Sequence, residues 1–298
     1  MDSDIFLKNV AILAKVSEEE ERATPAKDVP LPSVEALHSI VELVKMIVFP
    51  GFFDRRQADS NIRSYHIGVN MERLLSLLQQ QICLAQLSGE GENEGYEAKD
   101  AKDIALAFID RMPEIKRLLY TDVEAIFSDD PSVSNYSEVI FSYPVVEAML
   151  HYRVAHELLR QGVPVIPRII TEQAHAKTGI DIHPGAQIGE YFSIDHGTGV
   201  VIGETCVIGN HVTLYQGVTL GAKNYKLESL GRPMNIPRHP IIEDHVTIYS
   251  NSTLLGRITI GHDTVIGGNI WLTHSVPPHS KILQSKALDV SFTGGLGI

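Results

Sequence analysis

Two periodicities divide the chain. Over 34–48 the apolar residues Val34, Leu37, Ile40, Val41, Val44, Ile47 and Val48 recur at spacings of three and four, with Ser33 ahead of them as an N-cap and Pro50-Gly51 behind. This predicts one amphipathic helix. Similar patterns run from Met71 to Leu87 and from Ala98 to Met112, separated by the Gly- and Glu-rich stretch Gly89 to Gly95, which reads as a loop. Pro144 then suits the first position of a helix ending near Gly162, with Val145, Met149, Tyr152, His156 and Leu159 on one side.

From Ile182 the period becomes six. Ile182, Ile188, Ile194 and Val200 share one register. After a slip of two residues, Ile202, Ile208, Leu214 and Leu220 take up the next, and Ile242, Ile248, Leu254, Ile260, Ile266 and Leu272 follow a long loop. Neither a helix nor an alternating strand generates this spacing; a hexapeptide repeat indicates a parallel β-helix. Three hexads per coil would stack residues eighteen apart at about 4.8 Å, Ile242 on Ile260 and Ile248 on Ile266. Gly189, Gly203, Gly209, Gly221, Gly261 and Gly267 each follow an aliphatic residue, where a tight corner would call for positive φ. Small or β-branched residues four places after the aliphatic position, Ala186, Cys206, Val212, Val218, Val246, Ser252, Ile258 and Thr264, are expected to fill the corners.

Composition sets the class and excludes some functions. The 298 residues are enough for one large or two modest domains, and the chain reads as soluble, without a membrane span or signal peptide, which makes the cytoplasm the default location. A net charge of −12 argues against general binding to nucleic acid or membrane surfaces. Cys83 and Cys206 are far apart and suggest neither a disulfide, a metal knuckle nor a redox pair. Between Leu220 and Ile241, Lys223, Lys226, Arg232 and Arg238 face the single acid Glu228, a local basic patch suited to a polyphosphorylated ligand or, more simply, a solvated loop.

Charged residues interrupt the repeat. Asp181-Ile182-His183-Pro184 opens it, and fifteen residues after Asp181 comes His196 in Asp195-His196-Gly197-Thr198-Gly199. That spacing allows Asp181 and His196 to meet around one corner as a carboxylate–imidazole general base; a solvated corner histidine is the alternative. Asp130 before Pro131 reads equally as a turn residue. His183 reads as structural, and His151 and His156, five apart, do not share the helix face a metal would need.

Asp-Ile-His-Pro at 181–184, the segment 195–205, Val-Thr-Leu-Gly at 218–221 and Arg-His-Pro at 238–240 together resemble the bacterial and plant serine acetyltransferases, over about 128–279. The resemblance implies an α+β chain: an α-helical domain at 1–180, a left-handed parallel β-helix at 181–279 with a protruding loop, and a flexible tail at 280–298. It implies transfer of acetyl from acetyl-CoA to L-serine in cysteine biosynthesis, with no metal. His196 would be the base, oriented by Asp181. Asp130 and Asp195 would bind the substrate amino group, Arg238 its carboxylate, and His239 would position it. Gly221, Ala222, Ser250 and Gly268 would contact CoA between the prisms of a homotrimer or a dimer of trimers. L-cysteine feedback, and docking of O-acetylserine sulfhydrylase through the terminal Ile298, belong to the same set of implications. This chain departs from the family in a longer loop ending Ile236-Pro237-Arg238-His239-Pro240 and in Ser280-Lys281 after His279. Competing functions are a hexapeptide acetyltransferase for another amino acid, a sugar or an antibiotic, and a non-catalytic partner-binding scaffold. A γ-type carbonic anhydrase would need three convergent histidines, and His239, His245 and His262 lack its paired spacing.

Overall fold

The structure is a computed structural model; it describes residues 2–23, 30–53, 60–88, 100–223, 234 and 236–285. The Gly89 to Gly95 stretch, Lys226, Glu228 and Arg232 of the basic loop, and Ile298 lie outside these residues.

Among the described residues eight helices precede the strands: α1 (Asp2–Leu13), α2 (Glu18–Ala23), α3 (Val34–Val48), α4 (Ser60–Ser88), α5 (Ala101–Asp129), α6 (Tyr136–Ser142), α7 (Pro144–Arg160) and α8 (Ile166–Thr178). Ser33 caps α3 as expected, its side chain accepting from the Ala36 N–H, and Pro144 begins α7. The helix expected to end at Met112 instead continues through Pro113 to Asp129. A mid-helix proline costs about 3 kcal/mol. Beyond it α5 buries Ile115, Leu119, Val123 and Ile126, each worth roughly 1.5–3 kcal/mol, so continuation wins.

Helix α7 is not the one-sided helix its pattern suggested. It is enclosed nearly all round, with Leu158 rather than Leu159 in the core and with Arg153 buried. Arg153 donates to Asp122 of α5 at 2.8 and 2.9 Å and to the carbonyls of Ile188 and Gly189 at 3.2 and 2.8 Å. Tyr152 donates to the Ala186 carbonyl at 2.7 Å. One apolar core consequently runs from the helices through Phe192 into the strands.

The strands wind a parallel β-helix of about five coils. Face 1 carries β1 (Asp181–Ile182), β4 (Val201–Ile202), β7 (Thr219–Gly221), β10 (Thr253–Leu255) and β13 (Trp271–Leu272). Face 2 carries β2 (Gln187–Ile188), β5 (Val207–Ile208), β8 (Ile241–Ile242) and β11 (Thr259–Ile260). Face 3 carries β3 (Ser193–Asp195), β6 (Thr213–Tyr215), β9 (Thr247–Ile248), β12 (Val265–Ile266) and β14 (Lys281–Ile282). Ile242 stacks on Ile260 and Ile248 on Ile266, as the hexads require. Ile182 pairs with Ile202, twenty residues on, which absorbs the two-residue slip; Ile208 pairs with Ile242 across the long loop. The corner residues from Ala186 to Thr264 are all buried, and the two polar ones are satisfied: Ser252 donates to the Gly267 carbonyl at 2.7 Å and Thr264 to that of Pro277 at 3.2 Å.

The glycines after the aliphatic positions serve a different purpose from the one anticipated. None of Gly189, Gly203, Gly209, Gly221, Gly261 or Gly267 has positive φ. The left-handed positions are occupied by Tyr191, His211, His245, Asp263 and His279 at the edge between faces 2 and 3, and by His196, Asn251 and Asn269 at the edge between faces 3 and 1. Glycine is instead required by close approach of the next coil. A Cβ at Gly203 would overlap the His239 ring, one at Gly209 the Asp244 carboxylate, and one at Gly261 the Pro278 backbone.

Candidate active site

The prism arranges the charged interruptions as columns along its edges, because equivalent corner residues of successive coils hydrogen-bond in register. Along the edge between faces 3 and 1, Gly217 N–H donates to the Thr198 carbonyl, Asn251 N–H to Gln216 and Asn269 N–H to Ser250. His196, Ser250 and Gly268 therefore lie on one column, and a Cβ at Gly268 would stand 3.3 Å from the Ser250 carbonyl oxygen. Three coil steps at about 4.8 Å separate its ends by roughly 14 Å.

His196 stands at φ 57° with an exposed side chain, its Nε2 3.8 Å from Asp195 Oδ1. Asp195 ends β3 and pairs in register with Tyr215. Asp130 caps α5 and comes to the same place: Asp130, Tyr143, Asp195 and Tyr215 line one small pocket. Its Oδ1 accepts from the Ser132 N–H (2.8 Å) and hydroxyl (2.7 Å), and its Oδ2 from the Tyr143 hydroxyl at 2.6 Å. Those bonds from Ser132 and Tyr143, with His196 nearby, hold the Asp130 carboxyl below the ordinary carboxylate range. It is a fixed anion at neutral pH. Beside it, Asp129 accepts from the hydroxyls of Ser193 (2.5 Å) and Thr213 (2.8 Å), which fastens α5 to face 3.

Asp181 begins β1 opposite Val201, immediately after the corner that holds His196, so the two residues share an edge. Its carboxylate lies with Glu172 and His175 of α8, their ligand atoms within 4.8 Å of one another. Among the described residues no ion pair joins Asp181 to His196; the carboxylate paired with that imidazole is Asp195.

Arg238 and His239 occupy the other edge of face 1, toward face 2. Arg238 pairs with Glu204 at 2.5 Å, and its N–H donates to the Thr205 hydroxyl at 2.9 Å. His239 is enclosed, and its Nδ1 accepts from the Thr205 N–H at 3.1 Å, which leaves the ring proton on Nε2. Burial first, and then the neighbouring Arg238, push its pKa down to about 4. The ring is thus a neutral Nε2 donor at physiological pH. Arg257 on the next coil donates to the carbonyls of Thr205 (2.6 Å) and His239 (3.0 Å), pinning this edge. Gly221 and Ala222 leave β7 on the same side, with Gly221 in register with Leu255. Expected site residues therefore fall on both margins of face 1: Asp130, Asp181, Asp195, His196, Ser250 and Gly268 on one, Gly221, Ala222, Arg238 and His239 on the other.

Sequence reasoning did not single out Tyr143 or Ser132, and Thr205 entered only as the last residue of the 195–205 segment, without a role. Tyr143 precedes the helix-starting Pro144, and nothing in its spacing ties it to Asp130. Neither cysteine is offered to the site: Cys83 is an exposed residue of α4, and Cys206, at the corner between faces 1 and 2, turns inward and is buried, with burial pushing its thiol up to about 12.

No protein-family model matches the sequence. The chain is 45% identical over 276 residues to a plasmid-encoded serine acetyltransferase of Synechococcus elongatus, covering 90% of this chain and 86% of the relative. Among solved structures it is similar to serine acetyltransferase isoform 3 of Entamoeba histolytica in complex with cysteine, at TM-score 0.72 and 33% identity, covering 90% of this chain and 88% of the other. Soybean serine acetyltransferase complexed with serine superimposes at TM-score 0.54 and 28% identity, covering 84% and 96% of the two chains.

Proposed function

The chain belongs to the serine acetyltransferase family, and from that premise we propose that it carries acetyl from acetyl-CoA to the hydroxyl of L-serine by direct attack, with His196 as general base. The observation carrying this reading is the edge column itself, which sets His196 and Asp195 beside the fixed Asp130 anion and continues along Ser250 and Gly268. In the proposed step His196 Nε2 takes the serine hydroxyl proton as the oxygen bonds to the thioester carbonyl carbon. The tetrahedral intermediate then expels CoA thiolate, which recovers the proton from the imidazolium. Atoms and charge balance without an acyl-enzyme. The burial and raised pKa of Cys206 support this direct route.

Asp130 and Asp195 would receive the serine ammonium; Asp181, cast by the resemblance as the residue that orients His196, shares its edge, while its carboxylate lies with Glu172 and His175 and the carboxylate nearest the imidazole is Asp195. Arg238, a planar fork already held by Glu204, suits the serine carboxylate, with His239 as a neutral donor beside it. Because these two groups flank opposite margins of face 1, a complete site calls for a neighbouring copy that brings its Arg238 margin to the His196 column, the arrangement of a trimer. L-cysteine, with the same ammonium and carboxylate as serine, would compete there; cysteine is the ligand of the Entamoeba histolytica relative.

Thiol release from acetyl-CoA, measured with L-serine, L-homoserine and amino sugars, tests the substrate. Absence of serine-dependent release would overturn the assignment. His196→Ala is expected to lower kcat by about 10²- to 10⁴-fold, and unchanged turnover would reject the base. Co-expressing His196→Ala with Arg238→Ala chains tests the shared site: mixed trimers regain part of the activity only if one site draws on two copies.

A further inference from the structure

The third edge of the prism, between faces 2 and 3, carries a column that acetyl transfer does not use. On successive coils it presents Tyr191, His211, His245, Asp263 and His279, all with left-handed φ near 55°. Tyr191 stacks on His211 at 4.4 Å between ring centroids, and His211 on His245 at 4.8 Å. A ring occupies every step but one. At the fourth a carboxylate, Asp263, takes its place, between His245 on one side and His279 on the other, with His262 adjacent in the chain.

The donor atoms converge on that carboxylate. Asp263 Oδ2 lies 2.7 Å from His262 Nδ1 and 3.6 Å from His279 Nδ1, and the two rings meet edge to face at 4.8 Å. Metal–ligand bonds of about 2.0–2.1 Å in a tetrahedral set place neighbouring donors roughly 3.3 Å apart, a value the two separations bracket. All three side chains are exposed, and a cleft of about 420 Å³ lined by Glu243, Asp244, His245, His262 and Asp263 opens beside them. Two imidazoles with one carboxylate is a donor set for zinc, nickel, cobalt or copper rather than for calcium or magnesium, which take oxygen.

We propose that His262, Asp263 and His279 form a binding site for a divalent transition metal on the edge of the prism remote from the acetyl-transfer column. In the bound form both rings are neutral, coordinate through Nδ1 and carry their proton on Nε2, and water fills the remaining position. The glutamate, histidine and aspartate at 172, 175 and 181 are a second convergent set among the described residues. It serves as the internal control.

The full chain, freed of metal with chelator and dialysed, is titrated with Zn²⁺ by calorimetry and with Co²⁺ by visible absorption. The expected result is saturable uptake that is weakened at least ten-fold in both His262→Gln and His279→Asn and is unchanged in His175→Gln. Asparagine tolerates the left-handed backbone at 279, and both side chains are exposed, so the folded state is retained; near-UV circular dichroism checks this. The proposal is overturned if the intact protein shows no saturable uptake, if the two corner variants bind as it does, or if binding is lost with His175→Gln instead. In that case Asp263 is only a hydrogen-bond acceptor for two imidazoles.

Discussion

At the scale of single residues, the candidate site is governed by how few groups hold each charge. Asp130 keeps its orientation through Ser132 and Tyr143, and Tyr143→Phe removes one charge-assisted bond while leaving the fold intact. Such a bond contributes about 1.5–3 kcal/mol when both ends are held, and Ser132 remains, so the Michaelis constant for serine should rise roughly 3- to 10-fold with little change in kcat. Steady-state kinetics at varied serine separates that from a general loss of activity. His239 gives a pH prediction. Burial depresses its pKa to about 4, and lowers those of His151, His156 and His183 too. Their ordinary value is about 6.5, so between 6.5 and the folded values the unfolded chain binds more protons. Stability is fully present above about pH 6.5 and falls as pH drops toward 4. Urea midpoints measured across that window should show this slope, and it should be shallower in His239→Gln.

At the scale of the element, the repeat is held by contact between coils more than by turn conformation. Gly261→Ala places a methyl on the Pro278 backbone, which no rotamer change relieves, and should cost about 1–3 kcal/mol by urea denaturation. Gly203→Ala differs, since the group it meets is the His239 side chain. Its main expected effect is weaker serine binding as that ring is displaced from Thr205, read as a raised Michaelis constant with a small change in stability. The six-residue period made the coils legible, because burial of one aliphatic residue per face repeats in sequence. What the spacing could not disclose was the reason for the glycines. A sequence shows that Cβ is missing but not which atom of a residue 17 to 36 positions away would strike it. Helix α5 shows the same limit, since its course past Pro113 depends on a core supplied by α7 and face 3.

At the scale of the whole molecule, the helices and the prism are joined at the buried Arg153–Asp122 pair, whose further bonds reach the carbonyls of Ile188 and Gly189. Removing one partner strands the other charge, so Asp122→Ala should cost about 3–5 kcal/mol. The double variant with Arg153→Met should recover part of that loss in a urea double-mutant cycle; full additivity would show that the two do not act as a pair. The described helices include none long and apolar enough to cross a membrane, and the carboxylate-lined column by His196 depends on α5 being anchored to face 3 through Asp129.

The sequence by itself determined the coil architecture, the cap at Ser33 and the helix start at Pro144, because local spacing and residue type decide those; it offered Asp181 and His196 as a candidate pair, and resemblance to the family added the candidate roles of Asp195 and Arg238. Tertiary structure alone decided which of them meet. It gathered Asp130, Asp195 and His196 at one edge of face 1, left Arg238 and His239 at the other, and turned the Asp181 carboxylate toward α8. It also built the His262–Asp263–His279 cluster from residues sixteen and seventeen apart. The physical reason is stacking: the repeat fixes the edge on which a side chain emerges, while its neighbours there come from adjoining coils and packed helices whose separation along the chain carries no local signal.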